Sequence, residues 1–270
     1  MFYQSIRIQI AIITKLINNT KFKIDKGDHL LDTHTHILWN IDDGSKNQCM
    51  SLQMLEIAAR SGTKAIFATP HVIERANKPS WEEIKEKTQQ LRQLCAEAQI
   101  DIMLYPGAEV QMNWELLPEL GAAGAYCLNG GRYLLVELPA AEIPAYADEF
   151  WYELELKGIT PILAHPERYQ QLRENPDLLL LWRRRGMLMQ CNSGSFTGMF
   201  GSSVCENAKV LLANGLVDLL GSDGHRSEGR NTDMSRAAAV IRQLAGEEVL
   251  RQMTETNPQA ILKNQEIERR

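Results

Sequence analysis

Seven short apolar runs punctuate the chain, at His29–Thr33, Lys64–Thr69, Asp101–Tyr105, Tyr133–Leu138, Thr160–Ala164, Met187–Gln190 and Val217–Gly221. Each has the length and composition of a buried strand. Helical spacing fills most of the gaps. Met50, Met54, Leu55, Ile57 and Ala58 mark one face of a helix over Gln48 to Arg60, with Gly62 as its stop. Ser80-Trp81-Glu82-Glu83 is a capping box, and Ile84, Leu91 and Leu94 follow at helical intervals. Glu142 to Lys157 and Ser203 to Asn214 read as helices in the same way. Alternating strands and helices predict a parallel sheet with helices outside. With no linker-like break, low-complexity tract or internal repeat, residues 29–270 are expected to form a single α/β barrel domain.

The polar residues gather where those strands end. The first run leads into Asp32-Thr33-His34-Thr35-His36, followed by Asp42-Asp43-Gly44. The second ends at Thr69-Pro70-His71 and the third leads to Gly107-Ala108-Glu109. The fourth contains Glu137, the fifth ends in His165-Pro166-Glu167-Arg168, and the seventh in Ser222-Asp223-Gly224-His225. In a parallel α/β barrel the loops after the strands build the active site. Five of the six histidines and at least four carboxylates are thus expected on one rim. Alternate residues of an extended His-x-His segment point the same way, so both imidazoles can reach one ion. Taken singly, each is more often a turn residue or a solvated side chain. As a set they are not, because buried unpaired carboxylates are strongly penalised unless a cation joins them. His29 starts a strand and stays outside the set.

Composition narrows the partners. The 270 residues are 44% hydrophobic and 23% charged, with 29 Lys+Arg against 34 Asp+Glu. That excludes a disordered chain and a disulfide scaffold, and a formal charge of -5 argues against a nucleic-acid partner. Cys49, Cys95, Cys127, Cys191 and Cys205 include no Cys-x-x-Cys pair and read as reduced thiols of a cytoplasmic protein. A cysteine-nucleophile phosphatase needs Arg six positions after its Cys, and here those positions hold Leu55, Asp101, Tyr133, Thr197 and Leu211. Residues 1–28 form an N-terminal leader or extension. Its Ile-rich stretch, Phe2 to Ile24, is interrupted by Arg7, Lys15, Lys21 and Lys23, too broken for the roughly 20 apolar residues of a membrane span. It also lacks a signal-peptide cleavage site. No stable membrane insertion is expected. A peripheral or loosely ordered leader is the plainer reading, and translation beginning nearer Leu30 is the other.

These motifs resemble those of the PHP (polymerase and histidinol phosphatase) superfamily. Within it the chain is similar to the CpsB/YwqE-type protein-tyrosine phosphatases of bacterial capsule and exopolysaccharide clusters. The similarity runs from about Leu31 to about Leu262. It is carried by Asp32–His36, Ile41–Gly44, Ala68–His71, Gly107–Glu109, Leu135–Leu138, Ala164–Tyr169, Asn192-Ser193, Ser222–Arg230 and Asn257-Pro258. The resemblance implies a distorted seven-stranded TIM-like barrel with three divalent metal ions. His34, His36, Glu109 and Asp223 would hold the first ion. Glu109, Glu137 and His165 would hold the second, and Asp43, His71 and His225 the third. Ligation by oxygen and nitrogen alone suits Mn²⁺ best, with Fe²⁺ or Zn²⁺ as alternatives. Three such ions and four carboxylates leave a charge that suits a bridging hydroxide and a phosphate dianion.

The resemblance further implies direct hydrolysis of phosphotyrosine by that hydroxide. Arg168 and Arg230 would hold the phosphate, and His225 or a metal-bound water would supply a proton. Asn192 would contact substrate or orient ligands at the site edge. Asp32 would fix a histidine tautomer or the loop, and Asp42 would be a turn residue or trade places with Asp43. The implied substrate is the tyrosine-rich tail of a kinase controlling polysaccharide export. The rival expectations are a small-molecule phosphatase such as a histidinol phosphatase, a nuclease, and a barrel that only binds. Two further stretches read as ordinary structure, Arg183-Arg184-Arg185 as a solvated helix face and Trp151-Tyr152 as helix packing.

Overall fold

All seven expected strands are present in a computed structural model, which describes residues 29–268; the expected leader lies outside the described residues. They are β1 (Leu30–Thr35), β2 (Thr63–Ala68), β4 (Met103–Pro106), β6 (Tyr133–Glu137), β7 (Thr160–Ala164), β8 (Leu188–Asn192) and β9 (Leu219–Gly221). Two short strands join them, β3 (His71–Val72) and β5 (Glu109–Gln111). Each continues a longer strand past a break, β3 after β2 at Thr69-Pro70 and β5 after β4 at Gly107-Ala108. Proline has no N–H to give to a ladder, which accounts for the first break. Bonds from Gly107 N to the Ala68 carbonyl and from Glu109 N to the Pro70 carbonyl, both 3.0 Å, carry the pairing across.

All pairings between these strands are parallel, in the orders β1-β2-β4 and β3-β5-β6-β7-β8-β9. The sheet curls until β9 meets β1. There the His36 amide donates to the Gly224 carbonyl at 3.0 Å and the Asp223 amide to the His34 carbonyl at 2.7 Å. Asp32, fully buried, accepts from the Ser222 amide at 2.8 Å across the same seam. This is the expected α/β architecture, a distorted TIM-like barrel.

The strand period of two sorts its side chains. Phe67, Leu135, Ile162, Leu188 and Leu219 pack together inside, with Ile261 and Ile267 from the C-terminal segment. Leu134, Val136, Leu163, Met189, Cys191 and Leu220 face the helical layer. Continuing the inward face toward the strand ends gives Glu137 after Leu135, and Gln190 and Asn192 after Leu188. The polar residues therefore stand on an apolar floor.

The helices follow their sequence signals. Gln48–Arg60 is helical as expected, and Ser80 caps Trp81–Glu97 by accepting from the Glu83 amide at 3.1 Å. The helix expected over Glu142 to Lys157 is shorter, Ala147–Leu156, because Pro144 keeps the preceding stretch out of helical geometry. Arg183 corrects its expected solvated position: it bonds the buried Asp218 carboxylate at 2.7 Å. Arg184 and Arg185 are exposed.

Candidate metal centre

His34 is the fifth residue of β1 and His36 follows its end, so the two imidazoles project to the same side. Their Nε2 atoms lie 3.1 Å apart. Each ring is turned by a partner at its other nitrogen. His34 Nδ1 meets Gln190 Oε1 at 2.9 Å and His36 Nδ1 meets Asp42 Oδ2 at 2.7 Å. Both partners accept, so both Nδ1 atoms carry a proton, which leaves the two Nε2 atoms to meet a common ion. The approach needs glycine at the neighbouring strand end, since a Cβ on Gly221 would lie 2.5 Å from His34 Cβ.

Two carboxylates close on the same point. Glu109 Oε2 lies 3.1 Å from His34 Nε2 and 3.3 Å from His36 Nε2, and Asp223 Oδ1 lies 3.6 and 3.3 Å from them. Glu109 Oε1 reaches His165 Nε2 at 2.9 Å. His71 Nδ1 lies 3.1 Å from Glu109 and 3.3 Å from Glu137. Asp43 Oδ1 lies 3.3 Å from His225 Nε2 and 3.8 Å from His71 Nε2. Nine potential ligand residues are thus linked, and six of them, Asp43, His71, Glu109, Glu137, His165 and His225, line a cavity of about 690 Å³. His29 is exposed and takes no part.

Electrostatics call for positive charge at the centre. Burial alone would push the His34 imidazole down, yet Glu109 and Asp223 hold it above its ordinary value. Burial would raise the Glu109 carboxyl, but His34 and His71 hold it well below the usual carboxylate range. Asp223 is held well below in the same way, by His34, His36 and Arg230 against its burial. His225 differs: burial, then the neighbouring His36 charge, push it down to about 4. Glu109 Oε2, Asp223 Oδ1, His71 Nδ1 and His225 Nε2 are buried without a hydrogen-bond partner. Buried carboxylate oxygens without a hydrogen-bond partner are costly, and a divalent cation between them removes that cost. These residues fit a metal of the nitrogen- and oxygen-binding class.

Backbone conformation marks the same place. His165 and Asp223 have φ of 37° and 53°, left-handed values that non-glycine residues adopt with strain and that cluster at functional sites.

Three supporting residues take definite places in three dimensions. Asp42, expected as a turn residue, is the carboxylate behind His36. It also accepts from the His71 amide at 3.0 Å and the Gly44 amide at 2.8 Å. Asp32 fixes no imidazole; it accepts from the His34 and Ser222 amides and pins the seam. Burial pushes its carboxyl up to about 6. Asn192 is buried with its amide engaged, Nδ2 on Asp223 Oδ2 at 2.5 Å and Oδ1 on Gln190 Nε2 at 3.1 Å, an orienting arrangement. Arg168 and Arg230 both bond that same Asp223 oxygen.

Gln190 and Glu167 were given no role by the sequence reading. Glu167 Oε1 accepts from the Asn192 amide at 3.0 Å and the Ser195 hydroxyl at 2.6 Å. The period-two pattern running in from Asn192 is the signal that places Gln190 on the site face. A second cavity, about 680 Å³, lies against Trp151, Tyr152 and Trp182 and contains no histidine. Trp151 is buried against Trp182, as the packing reading expected, while Tyr152 is 57% exposed.

The family model for capsular polysaccharide synthesis, CpsB/CapC, matches residues 30–263. The tyrosine-protein phosphatase YwqE of Bacillus subtilis is 34% identical over 238 residues, covering 88% of this chain and 93% of the relative. The tyrosine-protein phosphatase CpsB of Streptococcus pneumoniae is 28% identical over 243 residues, covering 88% and 100%. A solved structure from a study of YwqE and CpsB, described as unique metal-dependent tyrosine phosphatases, superposes with a TM-score of 0.84 at 33% identity. It covers 89% of this chain and 97% of that one. A histidinol phosphate phosphatase from Lactococcus lactis shares the fold, with a TM-score of 0.52 at 17% identity, covering 81% and 94%.

Proposed function

The chain belongs to the CpsB/CapC family of capsular polysaccharide synthesis, and on that premise we propose that it is a metal-dependent protein-tyrosine phosphatase. The observation that carries the reading is the convergence of the His34 and His36 Nε2 atoms with Glu109 Oε2 and Asp223 Oδ1, beside two arginines. His34, His36, Glu109 and Asp223 hold one ion, Glu109, Glu137 and His165 a second, and Asp43, His71 and His225 a third. The ions are divalent, Mn²⁺ before Fe²⁺ or Zn²⁺. Bound there, they supply positive charge to the phosphate and lower the pKa of a water to about 7.

The chain's own residues do the rest. Arg168 Nη1 and Arg230 Nη2 approach from the open side, about a third exposed, and Arg230 Nε has no hydrogen-bond partner in the protein. Their free N–H groups receive the phosphate oxygens and the charge that develops on them. Leu138, Ala140 and Ala141 form an apolar edge of the same cavity, suited to a phenyl ring. His225 Nδ1 bonds the Asp223 carbonyl at 2.9 Å, leaving Nε2 toward Asp43. That tautomer leaves the Nε2 lone pair for an ion beside Asp43, so the imidazole would serve as a ligand. A phenolate leaves with a pKa near 10 and needs little protonation, so water suffices. Residues 29–270 act as one catalytic domain. Its substrate is a phosphotyrosine protein, the tyrosine-rich tail of a polysaccharide-export kinase, met in the cytoplasm.

Metal analysis of protein purified without chelator, with turnover of a phosphotyrosine peptide and of histidinol phosphate, tests this. Bound divalent metal and a strong preference for the peptide are expected. A large preference for histidinol phosphate overturns the substrate, and full activity without metal overturns the mechanism.

A further inference from the structure

Where the two arginines turn toward Asp223, both guanidinium groups lie against one phenyl ring. Arg168 Cζ is 4.8 Å and Arg230 Cζ 5.5 Å from the centroid of Phe200. Both are inside the roughly 6 Å over which a cation is attracted to an aromatic face. We propose that Phe200 is a positioning residue for phosphate binding: its ring holds Arg168 and Arg230 in place while leaving their N–H edges free. This rests on the phosphate-holding part given above to the two arginines.

The ring is built into the site rim. It lies in the turn after the short helix Ser193–Phe196 that follows β8, and is half-buried. It seats on Gly194, where a Cβ would come within 3.1 Å of Phe200 Cε2 and 2.9 Å of Met199 Sδ. The same turn is tied down through Ser195 and Asn192 to Glu167, the residue beside Arg168. Ring and arginine therefore share an anchor.

The chemistry explains why a phenyl ring suits this position. Two guanidinium groups meet at one carboxylate oxygen, Asp223 Oδ2, and so repel each other. A second carboxylate would offset that repulsion, but it would take up the N–H donors and neutralise the charge a phosphate needs. An aliphatic side chain would fill the volume and attract neither cation. The aromatic ring attracts both cations and, unlike a carboxylate, does not neutralise the charge a phosphate needs.

Kinetics of the metal-loaded full chain test the inference. KM and kcat for a phosphotyrosine peptide, and inhibition by inorganic phosphate, are measured for wild type, Phe200→Leu, Phe200→Tyr and Arg168→Ala. Metal content and melting temperature are followed for each. Losing two cation–ring contacts corresponds to about a 5- to 30-fold effect. Phe200→Leu is expected to raise KM and weaken phosphate inhibition by that factor. Its kcat changes less, its metal content stays at the wild-type value and its melting temperature falls by only a few degrees. Phe200→Tyr keeps the ring and restores both constants. Unchanged phosphate inhibition in Phe200→Leu overturns the inference, as does a Phe200→Tyr protein as impaired as Phe200→Leu. If Arg168→Ala weakens inhibition and Phe200→Leu does not, only the inference fails. If Arg168→Ala leaves inhibition intact, the phosphate-holding role of that arginine fails first.

Discussion

Replacing Asp42 by Asn should damage the site without touching a proposed ligand. The carboxylate, 1% exposed, accepts three hydrogen bonds: Oδ2 from His36 Nδ1 at 2.7 Å and the His71 amide at 3.0 Å, Oδ1 from the Gly44 amide at 2.8 Å. A carboxamide has one accepting oxygen and one NH2 group. With its oxygen at the two-donor position, its NH2 faces the Gly44 N–H. Turned over, it presents NH2 to the His71 amide and to His36, whose ring must then change tautomer and put a proton where the ion belongs. A hydrogen bond to a charged group contributes about 1.5–3 kcal/mol, and about 1.4 kcal/mol is tenfold. The expected loss is therefore about 10- to 100-fold in metal affinity, the range found for groups that orient histidine ligands. Competition with a chromophoric chelator measures the affinity, and kcat/KM for a phosphotyrosine peptide should fall in step. A folded Asp42→Asn protein with wild-type affinity and turnover would refute the idea that Asp42 sets the His36 tautomer.

Other perturbations separate the remaining parts of the structure. Glu109 touches His34, His36, His71 and His165, so Glu109→Gln should abolish the metal-dependent rise in melting temperature and lower turnover by more than about a hundredfold. A metal-dependent rise equal to that of wild type would contradict its central place. Burial pushes the Cys127 thiol up to about 11, and burial with the Glu167 charge raises Cys191 well above its ordinary value. At pH 8 about one Cys127 thiol in a thousand is ionised, and raising the pH to 9 still leaves its pKa above the solution. In a thiol titration of the native protein only exposed Cys49 and half-buried Cys205 should react quickly. Five fast thiols would contradict the burial. Arg183→Ala strips the buried Asp218 carboxylate of a 2.7 Å bond and should lower stability by about 1–3 kcal/mol in urea titrations. Arg184→Ala should stay within about 0.5 kcal/mol, and equal effects would argue against the Arg183 anchor.

The seven long strands were legible because each long apolar run spans most of a strand. β3 and β5 were not, since two or three residues are too few to establish a period, although Pro70 and Gly107 marked the breaks. Pro144 likewise carried a start signal that the apolar spacing of Glu142 to Lys157 concealed. The histidines and carboxylates stood out at the strand ends because few other roles bring such residues together there. Their supports did not stand out. Which nitrogen of His34 or His36 faces inward depends on Gln190 and Asp42, and that relation exists only once β8 and the loop after β1 are in place. Asp32 and Asp42 look alike in sequence, yet one holds backbone and the other a ring.

The seam between β9 and β1 joins residues 187 to 190 positions apart, as the Thr33–Leu220 and Asp32–Ser222 bonds show. Contacts so distant in sequence form late, because most of the chain must be ordered before its ends meet. His34, His36 and Asp223 lie along that seam, so the ion-binding groups come together only as the ring of strands closes. During synthesis, a chain still lacking β9 has no Asp223 to offer and cannot complete the cluster. Metal uptake would therefore mark the finished molecule, and its appearance during refolding would time the closing of the barrel.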